Sequence, residues 1–87
     1  MNQPDIRLLN ISTDIIKLGE AGAYSGDAVN SIRSKVRGIT VTDTCDGVML
    51  QIIMTTLRHL LNASTEEDRR TLIDSFAHKV TVYKSGS

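Results

Sequence analysis

Cys45, His59 and His78 are the only thiol and imidazoles in the chain, so any nucleophilic or metal chemistry has to be assembled from them and nearby carboxylates. Cys45 stands between Asp43 and Asp46. With an approaching histidine this group would make a Cys–His nucleophile or a Cys/His/Asp cation site, since a helix N-terminus and an adjacent imidazole both favour the thiolate. The spacing argues instead for a buried or semi-buried thiol beside a solvated helix-end histidine. Recognisable zinc sites carry ligands in close pairs such as CxxC or HxxxH, and neither occurs here. Asp74, Ser75 and His78 supply the letters of a catalytic triad, but on one predicted helix Ser75 and His78 are merely surface neighbours three residues apart. A working triad is held by several elements beside an oxyanion hole. No GxSxG elbow or phosphate-cradling glycine loop is present. The expectation is a protein that is not an enzyme and uses neither metal nor cofactor.

The remaining clustered chemistry is basic. Arg33, Lys35 and Arg37 in SIRSKVRG are the candidate contacts to a partner or to DNA. The stretch LGEAGAYSGDAVNSIRSKVRG has a loose helix-turn-helix pattern, with Ile32 inward and the basic residues outward, although Lys35 falls where that pattern prefers an apolar residue. Such a motif would lay its second helix in a major groove, with a dimer matching two half-sites. Against this stands the charge balance of ten acidic and ten basic residues, which leaves no global field to steer the chain to nucleic acid. Basic residues in a last helical turn also complement the helix dipole without any ligand.

The elements that position these groups follow from periodicity. Leu8, Ile11, Ile15 and Leu18 recur at helical steps after Pro4, a residue suited to a first helical position, and predict a helix ending near Gly19 or Gly22. GAYSG (22–26) reads as a turn. Asp27 then caps a short helix carrying Val29, Ile32 and Val36, closed by Gly38. Two stretches alternate as strands do, 39–42 (ITVT) and 80–83 (VTVY), and β-branched residues favour that assignment. Between them lies a helical hairpin, about 44–61 and 65–78. Asp43, Thr44 or Asp46 caps its first arm, and Ser64 with Glu67 makes a capping box for the second. A break this short forces the arms antiparallel. At ~1.5 Å per residue, His59 and His78 then sit some 20 Å apart, while Cys45 and His78 share an end.

The first arm, VMLQIIMTTLRHLL, is apolar nearly all round, where a surface helix needs only one stripe. An 87-residue chain buries only about 60–65% of its unfolded surface, and a lone cysteine excludes an internal disulfide. The chain therefore reads as a homodimer, with Met49, Ile53, Leu57, Leu60 and Leu61 as the dimer interface and the first and fourth helices as cover. Few aromatic residues are present (Phe76, Tyr24 and Tyr83), which argues against base-stacking nucleic-acid modules. Arg58 and His59 interrupt the best apolar run below the ~18–20 residues that span a bilayer, and the opening residues lack the pattern of a secretory signal. A cytoplasmic location is expected.

Val48 to Phe76 resembles the helical hairpin of the YejL-like family of small bacterial proteins. Leu60, Leu61, Asn62, Arg70, Ile73 and Phe76 carry the likeness, with the asparagine-to-phenylalanine spacing differing by one residue. The closing RRTLIDSFAHKVTVYKSG is similar to the helix-to-strand endings of large serine recombinases, without their catalytic domain. Both reflect helical patterning, and no family is assigned. The reading is a mainly α, single-domain (1–87) homodimer acting as a small regulator or adaptor through another protein, in the manner of bacterial or phage-encoded modulators. The alternative is a dimeric helix-turn-helix-like DNA-binding regulator using residues 27–37.

Overall fold

The computed structural model describes residues 3–22 and 24–85. Four helices are present: α1 (Ile6–Ala21), α2 (Gly26–Val36), α3 (Thr44–Asn62) and α4 (Glu66–Lys84). Each begins at an oxygen-bearing side chain that accepts from an otherwise orphaned N–H of the first turn. Asp5 accepts from the Arg7 amide, Ser25 from Ala28, Asp43 from Cys45 and Thr65 from Asp68. One helix start and two caps differ from the sequence expectation. Asp5 rather than Pro4 opens α1, while Ser25 replaces Asp27 and Thr65 replaces Ser64. Ser25 and Thr65 lie within two residues of the expected caps, and each carries an oxygen able to accept from a first-turn amide. Gly22 ends α1 at φ 65, the left-handed conformation glycine adopts without a Cβ clash. Ala23, in the 22–26 turn, lies outside the described residues.

One apolar stripe per helix builds a shared core. It comprises Leu8, Ile11 and Ile15 of α1, Val29, Ile32 and Val36 of α2, Met49, Ile53, Leu57 and Leu60 of α3, and Ile73, Phe76 and Val80 of α4. The helices close a ring in which α1 packs on α2, α2 on α3, α3 on α4 and α4 on α1, with α1 also touching α3 across the middle. α2 and α4 do not meet. α1 and α4 approach tightly at Gly19, where an added Cβ would fall 2.8 Å from Ile73 Cγ2. None of the helices, among the described residues, is long and apolar enough to cross a membrane.

Neither predicted strand forms within one chain. Residues 80–83 lie in the closing turns of α4. Val80 is buried and Tyr83, three residues on, lies on the same side, so tertiary contacts override their β propensity. Residues 39–42 join α2 to α3 without regular structure. Their alternation is real as burial, with Ile39 and Val41 half-buried and Thr40 and Thr42 exposed, yet no ladder partner lies beside them among the described residues. Instead, Arg7 Nη2 donates to the Thr40 carbonyl at 3.2 Å.

Two polar knots tie the ring. The Tyr83 hydroxyl donates to Asp46 at the start of α3 and accepts from the Asp5 amide at 2.8 Å. Burial, and then the bond to Asp46, raise its pKa to about 12. At the other end, Arg69 Nη2 donates to the Ala63 carbonyl at 3.0 Å and its guanidinium lies 5.8 Å from the centre of the Tyr24 ring. Arg69 thereby satisfies a carbonyl at the end of α3, where no helical partner follows.

Candidate interaction surfaces

The residues with chemical potential are dispersed. Cys45 is exposed in the first turn of α3 rather than buried or semi-buried as expected, and the α4 residues lining the groove beside it are Lys79, Val82 and Tyr83. His78, one position before Lys79, is exposed and does not line that groove. The hairpin therefore brings the correct helix ends together but turns the histidine about 100° away, the rotation per helical residue. Asp43 is occupied as the α3 cap and Asp46 as the acceptor for Tyr83. Asp74, Ser75 and His78 are all exposed on α4. Among the described residues, no group of three His, Cys, Asp or Glu side chains is gathered as a metal site would require.

The five residues expected at a dimer interface are placed differently. Met49, Ile53, Leu57 and Leu60 are buried within the chain itself, at 2%, 0%, 0% and 2% exposure, and Leu61 is half-buried. The reason is geometric: α1, α2 and α4 of the same chain all pack on α3 and cover this stripe. What α3 leaves outside is a different set. Val48 is 56% exposed and faces Val82 of α4, itself 52% exposed, across an apolar groove of about 310 Å³ that also includes Ile52 and Cys45. A second groove continues along the same α3/α4 seam past Thr55, His59, Leu72 and Ser75.

The basic triplet is split. Lys35 Nζ lies 3.1 Å from Asp14 Oδ2 of α1, which occupies its charge locally. Arg33 and Arg37, one turn apart, instead border the groove between α2 and α3, where Arg58 joins them from α3. Helical spacing dictates this division, because residues four apart share a face and the one between them does not. Arg58 was visible in the sequence only as an interruption of an apolar run. Its membership of the basic group depends on how α2 packs on α3, which the spacing within either helix does not reveal.

No protein-family model, curated protein sequence or solved structure matches the chain.

Proposed function

We propose that the chain is a cytoplasmic, homodimeric regulator or adaptor that works by binding another protein. The observation that carries this reading is the uncovered apolar seam of α3 and α4, centred on Val48, Ile52 and Val82. Large apolar side chains left facing each other across a groove mark interaction surfaces more often than isolated ones do. Two 19-residue helices at ordinary packing distance present a face about 28 Å long and some 20 Å wide, roughly 550 Å² per chain. Two such faces together reach the ~1,000 Å² that a specific interface needs. A two-fold axis through the seam would stack Val48 and Val82 of each copy against the other, with the polar rim of Lys79 and Gln51 outside.

DNA binding by residues 27–37 is less well supported. Recognition helices contact base edges with their N-terminal residues, whereas the first turn of α2 carries Asp27 and no base. Lys35 is engaged by Asp14.

Sedimentation velocity from micromolar to near-millimolar concentration tests the dimer. The expected result is a concentration-dependent dimer that Val82→Asp converts to monomer without loss of helical circular dichroism, since residue 82 is exposed. A parent chain monomeric throughout would refute the proposal.

A further inference from the structure

The groove between α2 and α3 combines two features that rarely share a surface without a reason. Three arginines, Arg33, Arg37 and Arg58, surround it, and no acidic residue lines it. Among the described residues, none of the three takes part in a salt bridge or a side-chain hydrogen bond, although Arg7, Lys35 and Arg70 all have carboxylate partners. Apart from Gln51 and Thr55, the rest of the groove floor is apolar and includes half-buried Ile39 and Leu50 and Met54 at 51% exposure. The space measures about 460 Å³, enough for several side chains.

We propose that this groove binds an acidic amphipathic segment of a partner protein, its aliphatic side chains on the Met54 floor and its carboxylates on Arg33, Arg37 and Arg58. The inference rests on the reading of the chain as a protein-binding module and supplies the chemistry of that module's ligand. Arginine suits the task because its planar fork meets a carboxylate through two parallel N–H···O bonds. Arg33 and Arg37 are spaced one turn apart, about 6 Å between Cβ atoms, which matches carboxylates one helical turn apart on a docked segment. Methionine adapts its shape to an irregular apolar guest. Nucleic acid fits less well. Three cations release few counterions compared with the roughly 6–10 phosphate contacts behind strongly salt-dependent DNA binding, and no aromatic side chain lines the groove to stack a base.

The test is fluorescence anisotropy with the full chain and a fluorescein-labelled helical peptide bearing leucines on one face and glutamates along both its edges. A second peptide replaces every glutamate with glutamine. The expected result is saturable binding of the acidic peptide, weakened about tenfold or more in the glutamine peptide and in Arg58→Gln, weakened also in Met54→Gln, and unchanged in Lys35→Gln. All three substituted positions are exposed, and circular dichroism checks that each variant folds. Absence of saturable binding overturns the proposal. So does equal binding of the glutamine peptide, an equal loss in Lys35→Gln, or stronger competition by a short DNA duplex than by unlabelled acidic peptide. Sedimentation of Arg58→Gln separates this groove from the dimer seam. Loss of the dimer in that variant would assign the groove to a second copy and overturn the proposal, whereas a parent chain that binds the peptide as a monomer would refute the dimer alone.

Discussion

Replacing Gly19 with alanine sets two well-calibrated effects against each other. Gly19 lies inside α1, where alanine is favoured over glycine by about 1 kcal/mol through backbone entropy alone. If helix propensity decided the outcome, Gly19→Ala would stabilise the protein. The structure places the new Cβ 2.8 Å from Ile73 Cγ2, 3.4 Å from Ile73 Cβ and 3.5 Å from Ile73 Cγ1. Carbon atoms reach optimal separation near 3.5–4.0 Å, so the first contact is about 0.7 Å too short. Ile73 cannot swing clear, because it is 5% exposed and β-branched side chains hold essentially one χ1 rotamer in a helix. The α1–α4 contact must therefore open, and overpacking of this kind costs about 1–3 kcal/mol. Set against the propensity gain, the net expectation is destabilisation of up to about 2 kcal/mol, which at roughly 4–8 °C per kcal/mol lowers Tm by several degrees. Urea denaturation of a double-mutant cycle isolates the cause. Ile73→Ala alone should cost about 2–5 kcal/mol, and the cost of Gly19→Ala should vanish in its presence because Cγ2 is gone. A Gly19→Ala variant more stable than the parent by the full propensity gain of about 1 kcal/mol, or a cost that persists in the Ile73→Ala background, would refute the claim that α1 and α4 meet at this glycine.

Other perturbations address the knots and the surfaces. Tyr83→Phe removes two hydrogen bonds and should cost about 1–2 kcal/mol near neutral pH. The folded-state pKa of about 12 lies above the ordinary value of 10.0. The tyrosine's contribution is therefore fully present below pH 10 and is lost as pH rises toward 12. The stability gap between parent and Tyr83→Phe, followed by urea midpoints, should narrow over that window. Arg69→Ala strips the Ala63 carbonyl of its donor and Tyr24 of its cation, and a loss of about 2 kcal/mol is expected by thermal denaturation. Cys45→Ser should leave fold and self-association unchanged. In the parent, the rate of Cys45 alkylation by iodoacetamide should fall as protein concentration rises, because the thiol borders the proposed dimer seam.

The hydrophobic stripes were the legible part of this sequence. The faces read from periodicity, Leu8, Ile11 and Ile15 of the first helix and Val29, Ile32 and Val36 of the second, are buried in the core as that spacing demands. Periodicity states that a face must be covered but not by what. Met49, Ile53, Leu57 and Leu60 did require cover, and α1, α2 and α4 of the same chain provide it. Val48 and Val82, two of the large apolar residues left exposed, belong to different helices and become a surface only once α3 and α4 lie side by side. The same limit applies to the arginine groove, since Arg37 and Arg58 are far apart in sequence and joined only by packing. Local preference misled most at 80–83. There the β-branched residues are genuine, but a buried Val80 and the tyrosine knot hold them in the helix.

That knot also changes the connectivity through which the molecule comes apart. A row of helices joined by loops has two loose ends, and its terminal helices fray first because each is held from one side. Here Tyr83, Asp46 and Asp5 join the beginning of α1, the beginning of α3 and the last turn of α4 at a single vertex, across a separation of 78 residues between the outer pair. The chain is thereby a closed circuit rather than a row. Amide protons in the second turn of α1 and the last turns of α4 should be protected from exchange beyond what freely fraying helix ends show, and breaking the vertex should remove that protection.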